Sequence, residues 1–372
     1  MDWQLIESDI ALAELMLAAQ GCDAVMVDTE FMRRDTFYPQ VALVQLCFVG
    51  GGATGTAWMI DPLQIEDTAP LIRLFENPGV IKVLHSGSED LEVFQRWLGV
   101  LPRPLFDTQK AAALVGLGFG LGYRSLVLEL CSEDLPKGET RSDWLQRPLT
   151  ESQCHYAAQD VIWLLQAYHI IAERCQTQGK FDWVLEDGEE ACRGLASTSG
   201  QYFRRIKGAW KLQPRELATL ITICEWREQT AREKDKPRSW IIDDKACLQL
   251  AQEGPANIND LRAQVELHSS SVRRYGEVLL DLVAGQSTMP ESELPSRLPA
   301  PLSAAQRNQM KRLKQKTEKI AQELGVAPQM LVASKDFEAL IRDADPQPAS
   351  WLGWRQHRVI EPLRTMLKGE AV

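Results

Sequence analysis

Long apolar runs are missing from this sequence. Across 372 residues no stretch approaches the roughly 18 consecutive apolar residues that a membrane-spanning helix needs. Cys-x-x-Cys spacing is missing too. The eight cysteines (Cys22, Cys47, Cys131, Cys154, Cys175, Cys192, Cys224 and Cys247) are scattered, which excludes a zinc ribbon and speaks against a disulfide framework. The opening residues Met1-Asp2-Trp3-Gln4-Leu5-Ile6-Glu7 are acidic where a signal peptide carries basic residues before an apolar stretch. The expectation is a cytoplasmic protein with no membrane partner, and no obligate protein partner is evident. With 45% hydrophobic and 25% charged residues the composition is that of a soluble globular chain, and the length suggests two or three domains.

The net charge of −10 is unevenly distributed. Residues 1–200 carry 29 acidic and 14 basic side chains, residues 201–372 carry 22 and 27. An acidic front half repels polyanions unless cations neutralise it, whereas a basic back half suits phosphate backbones. Compositional drift alone would produce the same asymmetry.

The first 180 residues alternate strand-like and helix-like patterns. Apolar runs at 24–27 and 41–49, joined by a short polar connection, read as antiparallel strands, followed by Ala57-Trp58-Met59-Ile60 and Ile81-Lys82-Val83-Leu84-His85. Helical periodicity appears around Pro70–Phe75, over Glu89–Leu98 and over Ser152–Arg174, so a mixed α/β sheet domain is expected. Beyond residue 200 the strand signal disappears. Amphipathic helices are expected over Pro214–Lys234, Asp244–Glu253, Asn259–Leu267, Ser271–Val283 and Ser303–Leu324, with a Pro- and Ser-rich linker before the last. At an offset of 90 residues Ala231 meets Ala321, Ile241 meets Leu331, Ile242 meets Val332 and Leu250 meets Leu340, which suggests an internal duplication. Chance similarity between two helical segments is the alternative.

Asp28-Thr29-Glu30 closes the first apolar run. In a strand, residues two apart share a face, so both carboxylates project together. Like charges held so close are costly, and a divalent cation with a preference for oxygen ligands relieves the cost. A solvated loop after a strand is the plainer reading of this pair. Asp90 follows the fourth strand in His85-Ser86-Gly87-Ser88-Glu89-Asp90, where Ser88 could simply cap a helix. Tyr156 and Asp160 stand at i and i+4 on a helix face, though Tyr156 would also serve as a core aromatic.

These segments carry a family resemblance. Asp-x-Glu at a strand end, an Asp opening a helix and Tyr-x-x-x-Asp, in that order, resemble the DEDD superfamily of 3′→5′ exonucleases. Val27-Asp28-Thr29-Glu30-Phe31, His85 to Phe94, Ser142-Asp143-Trp144-Leu145-Gln146-Arg147-Pro148-Leu149 and Tyr156-Ala157-Ala158-Gln159-Asp160 narrow the resemblance to the ribonuclease D family. The segments after residue 210 resemble HRDC domains, the second more weakly. The resemblance implies a ribonuclease H-like mixed-sheet exonuclease domain over 1–200, then all-α HRDC-like domains over 210–286 and 300–372 with a linker at 287–299. It further implies a 3′–5′ exoribonuclease releasing nucleoside 5′-monophosphates. Its RNA partners would be tRNA precursors with 3′ extensions and other small structured RNAs.

Under that resemblance Asp28, Glu30, Asp90 and Asp160 bind two divalent metal ions, Mg²⁺ or Mn²⁺, about 3.5–4 Å apart. Tyr156 manages the attacking water. His155 fills the alternative spacing used elsewhere in the superfamily, but five residues from Asp160 it rotates off the face that Tyr156 shares. Phe31, Gln45, His85 and Arg141 are candidate RNA contacts, His85 being equally suited to a core edge. The basic segments at Tyr202–Trp240 and Ser303–Leu324 are the expected tether, so deleting 201–372 should weaken RNA binding and spare the chemistry. A DNA-directed DEDD exonuclease and a non-catalytic nucleic-acid-binding protein are the rival readings.

Overall fold

A computed structural model describes residues 2–136, 138–139, 142–197, 200–342 and 348–369. Six strands form one mixed sheet: β1 (Trp3–Ile6), β2 (Ala24–Met32), β3 (Gln40–Val49), β4 (Ala57–Ile60), β5 (Ile81–Leu84) and β6 (Leu105–Asp107), in the order β1-β4-β3-β2-β5-β6. β3 pairs antiparallel with both β2 and β4, while β1–β4, β2–β5 and β5–β6 are parallel. The meander read from the apolar runs is therefore its centre, and the short strands β1, β5 and β6 complete it.

Helices cover both faces. On one side lie α1 (Asp9–Ala18), α2 (Ala69–Glu76) and α3 (Ser88–Trp97), packed on the odd row of β2, Val25 and Val27. On the other lie α4 (Thr108–Leu114), α5 (Tyr123–Cys131) and α6 (Glu151–Thr177), against the even row, Ala24 and Met26. α7 (Phe181–Ser197) follows, with Val184 in the second of these cores and Cys192 in the first. The 27-residue α6 starts at a reciprocal cap in which Thr150 Oγ1 accepts from Gln153 N and Gln153 Oε1 accepts from Thr150 N. At α3 the cap is Gly87, and Ser88 is the first helical residue. A side chain at 87 would come within 2.6 Å of Leu84, so the turn from β5 into α3 takes glycine there.

The remaining helices are α8 (Pro214–Lys234), α9 (Arg238–Ile241), α10 (Asp244–Glu253), α11 (Ile258–Gln264), α12 (Ser269–Ser287), α13 (Ala304–Leu324), α14 (Ser334–Arg342) and α15 (Glu361–Gly369). The duplication is visible in their bounds. α8 and α13 start and stop at an offset of 90 residues, each opening on a capping box and each closing on a left-handed residue, Asp235 and Gly325. The buried pairs Ile241-Ile242 and Leu331-Val332 follow at the same offset, then Leu250 and Leu340.

The chain divides into two units. One comprises residues up to Met32, Pro39–Leu195 and Leu302 onward; the other comprises Arg33–Tyr38 and Ala196–Pro301. The first copy of the repeat fills a core of its own, with Phe37, Leu217, Leu220, Ile241, Leu250, Leu261 and Leu279 buried together. The second copy does not. Leu313, Ile320, Leu331, Phe337 and Trp354 share a core with α4, α5 and α6. Trp183 stacks on Trp354 with centroids 4.3 Å apart, Lys180 Nζ donates to the carbonyls of Leu114 (2.8 Å) and Gly325 (3.2 Å), and Arg355 Nη2 donates to Asp187 Oδ2 at 2.8 Å.

Candidate active site

The end of β2 carries the site because its two side-chain rows lead to different faces of the sheet. Asp28 and Glu30 continue the even row toward α6, and Asp160 on α6 meets them there. The three offer one carboxylate oxygen each within 4.8 Å of one another. Thr29 continues the odd row toward α3, where its hydroxyl donates to Oδ1 of the buried Asp90. Carboxylates from both sheet faces thus converge on one strand end. The β2–β3 register shifts between Glu30 and Phe31, because Glu30 pairs with Leu43 and Phe31 with Val41. Ala42 is the extra residue. Its carbonyl accepts from Arg147 Nη2 at 2.7 Å.

Burial pushes every one of these acids toward the protonated form, and repulsion from the neighbouring acids adds to it at Asp28 and Glu30. Glu30 rises to about 9 through desolvation and the charges of Asp160 and Asp90. Asp28 moves well above the carboxylate range through desolvation first and its acidic neighbours next. Desolvation lifts Asp160 to about 8 against a hydrogen bond from Tyr156, and lifts Asp90 to about 6 against the bond from Thr29. None of the leading influences on these four acids is a Lys or Arg. A cluster of oxygen donors without a cationic side chain suits hard divalent cations. Asp28, Glu30 and Asp160 fit that role by position, and Asp90 borders them.

Tyr156 is half-buried and hydrogen-bonded to Asp160, while desolvation and the three nearby carboxylates push its hydroxyl upward. It is a protonated donor at neutral pH. The neighbouring His155 is exposed, 4.0 Å from Glu151 and edge-on to Trp3. A Cβ at Gly138 would overlap the Tyr156 ring, so the loop before α6 closes against this tyrosine at a glycine.

The candidate RNA contacts fare differently. Phe31 is half-exposed at the register shift. Gln45 stands opposite Asp28 on β3 with no accessible surface, and neither end of its amide has a hydrogen-bond partner. His85 Nδ1 lies 2.9 Å from Thr108 Oγ1, and Thr108 donates to the Leu84 carbonyl at 3.1 Å. Thr108, donating to the Leu84 carbonyl, leaves its oxygen to accept from Nδ1, and the Leu121 main chain makes a further polar contact with the ring. Desolvation lowers its pKa. Arg141 lies outside the described residues.

Two supporting residues escaped the sequence reading. Tyr123 donates its hydroxyl to the main-chain carbonyls of Asp160 (2.7 Å) and Gln159 (3.0 Å), and its ring meets that of His85 edge-on with centroids 5.6 Å apart. Arg147 holds the buried Asp61 through two bonds of 2.5 and 2.7 Å, tying the segment before α6 to the end of β4. Both act through tertiary contacts that no local pattern announces. The Ser-Asp-Trp-Leu-Gln-Arg-Pro-Leu run was the available signal for Arg147.

Comparison with known proteins agrees with the geometry. The model of a 3′–5′ exonuclease family matches residues 3–176, and that of the HRDC domain matches residues 216–283. Ribonuclease D of Pseudomonas paraeruginosa is 42% identical over 98% of this chain and 97% of its own, and ribonuclease D of Escherichia coli K12 is 34% identical over 99% of each. The crystal structure of Escherichia coli RNase D, described as an exoribonuclease involved in structured RNA processing, superposes with a TM-score of 0.92 at 33% identity, covering 99% of both chains. With strand end, carboxylates, tyrosine and helical repeat all in this arrangement, the chain belongs to the ribonuclease D family and is a 3′–5′ exoribonuclease.

Proposed function

We propose that this exoribonuclease trims 3′ extensions from tRNA precursors and other small structured RNAs, using two divalent metal ions, Mg²⁺ or Mn²⁺, and releasing nucleoside 5′-monophosphates. The observation that carries the reading is the convergence of Asp28, Glu30 and Asp160 within 4.8 Å, beside Asp90 and under Tyr156. Asp28, Glu30, Asp90 and Asp160 would hold the ions. Bound there, divalent cations supply positive charge for the phosphoryl oxygens and lower the pKa of a water.

The side chains do the remainder. Thr29 fixes the rotamer of Asp90 by donating to Oδ1, and Tyr123 fixes the register of α6 at Asp160 by donating to its carbonyl. Tyr156, held protonated and donating its one proton to Asp160, keeps its oxygen lone pairs to accept from a water beside that carboxylate. Phe31 offers an aromatic face to the terminal base, and every base has a face that stacks. The involvement of the Escherichia coli relative in structured RNA processing supports the choice of substrate class.

The test is incubation of the protein with a 3′-extended tRNA and with a matched DNA oligonucleotide, with Mg²⁺, Mn²⁺ or EDTA, followed by product identification. Nucleoside 5′-monophosphates from the RNA, lost in EDTA, are expected. Alanine at any of the four carboxylates should abolish turnover while RNA still binds. Preferential digestion of DNA, or turnover that persists in EDTA, would overturn the reading.

A further inference from the structure

Among residues 41–49, which form nearly all of β3, Gln45 is the one polar side chain. Residues two apart on a strand share a face, so its neighbours along β3 are Leu43 and Cys47, neither with accessible surface. Across the sheet it stands between Met59 on β4 and Asp28 on β2. Leu43 and Met59 pack in one apolar cluster with Ala157 of α6, and Cys47 packs in the cluster that holds Ala158. Of the four side chains that flank Gln45, Asp28 alone is a strong hydrogen-bonding group. Glu30 lies one step further along, opposite Leu43.

The packing of this row gives no use for an amide. Gln45 is 0% exposed, and neither Nε2 nor Oε1 has a hydrogen-bond partner. A buried amide without partners costs stability that an apolar side chain of the same length avoids. With no accessible surface it offers RNA nothing to touch, so its use lies inside the protein. What the position offers is Asp28. Directly opposed residues on antiparallel strands hold their Cβ atoms about 4.5–5.5 Å apart, a gap that the two methylenes of glutamine span. Two of the other acids already have a neutral side-chain donor, Thr29 for Asp90 and Tyr156 for Asp160. Asp28 is steadied by the Thr29 main chain.

We propose that Gln45 is a positioning residue for Asp28: its amide Nε2 donates to the Asp28 carboxylate and sets the rotation in which that carboxylate ligates a divalent cation. The role rests on the reading of Asp28 as a metal ligand. An N–H held against one carboxylate oxygen fixes the direction in which the other presents its lone pairs, which is how outer hydrogen bonds tune a metal ligand. Glutamine suits the place because it is neutral. A lysine or arginine there would compete with the cation, and a carboxylate would add to the repulsion at Asp28. Each of Asp28, Asp90 and Asp160 then has one uncharged side-chain donor, from β3, β2 and α6 in turn.

Mn²⁺ binding to the full chain at pH 7, read by EPR of the free ion, tests the role without turnover. Gln45→Met keeps the length of the side chain and removes the amide. It should weaken Mn²⁺ binding about 10–100-fold, the range for groups that orient a metal ligand. Its melting temperature without divalent ions should hold or rise, because an apolar side chain fits this row. RNA affinity in EDTA should not change. If Gln45→Met does not fold, Gln45→Asn, whose amide is drawn back by one methylene, decides by the same Mn²⁺ titration. Wild-type Mn²⁺ affinity in the folded variant would overturn the proposal, whatever the melting temperature does. So would a loss of RNA affinity in EDTA with Mn²⁺ binding intact, which would return Gln45 to the RNA contacts. Asp28→Ala is the control. Full Mn²⁺ affinity there would sink the metal reading itself, whereas its loss beside an unaffected Gln45→Met would sink the Gln45 role alone.

Discussion

The hydroxyl of Thr29 donates to Oδ1 of Asp90 across 61 residues of sequence, and it does so from the one position between Asp28 and Glu30. A single tripeptide therefore supplies two acids to one face of the sheet and a clamp for a third acid on the other. That hydrogen bond favours the ionised form of Asp90, against the larger effect of burial. Thr29→Val should raise the Asp90 pKa further and weaken divalent-ion affinity about 10–100-fold, the range for residues that orient a metal ligand. Thr29→Ser should recover most of it. Titration with Mn²⁺ at pH 7 is the measurement, and equal affinity in Thr29→Val and wild type would refute the role.

Tyr156 and His155 are separated by the same measurement of turnover. Tyr156→Phe should lower kcat about 100-fold, at the lower end of what a positioned proton donor or acceptor contributes. His155→Ala, altering an exposed ring, should leave kcat within about twofold. The opposite pattern would reassign the water to His155.

Gly138 gives an independent handle on the same tyrosine. Because a Cβ there overlaps the ring, Gly138→Ala should displace Tyr156 and lower kcat with little change in melting temperature. Combined with Tyr156→Phe the effects should not add, since both remove one interaction. Additive losses would show that Gly138 acts elsewhere.

The elevated carboxylates set a pH dependence whose sign is fixed. Glu30 at about 9, Asp160 at about 8 and Asp90 at about 6 all stand above their ordinary values of 4.5, 3.8 and 3.8. The folded protein holds protons that the unfolded chain has released, so the stability contributed is complete below about pH 4 and lost as pH rises through 6 to 9. In EDTA the melting temperature should fall over that window, and Mg²⁺ or Mn²⁺ should restore it increasingly as pH rises. A metal-induced shift that is the same at pH 6 and pH 9 would contradict this origin.

Arg147 tests the scaffold. Asp61 is 1% exposed, and Arg147→Ala would leave its charge unpaired against the end of β4. Breaking a buried ion pair by removing one partner costs about 3–5 kcal/mol, so a large loss of stability by chemical denaturation is expected. Asp61→Asn with Arg147→Met should lose less than Arg147→Ala alone.

Much of this was written locally. β2, β3 and α8 are legible because apolar runs and helical periodicity extend over many residues, and α8 spans the very residues its pattern marks, Pro214–Lys234. β1 and β6 escaped because four and three residues hold too few alternations to register, and they owe their existence to pairing with β4 and β5. Asp28, Glu30 and Tyr156-x-x-x-Asp160 can be read as sequence neighbours that share a face. That Asp90 meets them from the opposite side of the sheet, through Thr29, follows from the alternation of β2 combined with a fold that brings α3 and α6 to the same strand end. Tyr123 is invisible to any pattern, because its partners are backbone carbonyls 36 and 37 residues away. Removing residues 201–372, which was expected to spare the chemistry, would take away part of a core that the sheet domain shares. Leu313, Leu331, Phe337 and Trp354 belong to the buried cluster that also holds residues of α4 and α7, and Trp354 stacks directly on Trp183 of α7.

The two copies of the repeat are consequently under different obligations. A cavity-forming change at Leu250 is absorbed within a body that has its own interior, whereas the matching change at Leu340 opens a core that the sheet domain shares. One duplicate kept its independence and with it the freedom to present charge. Its twin has become masonry.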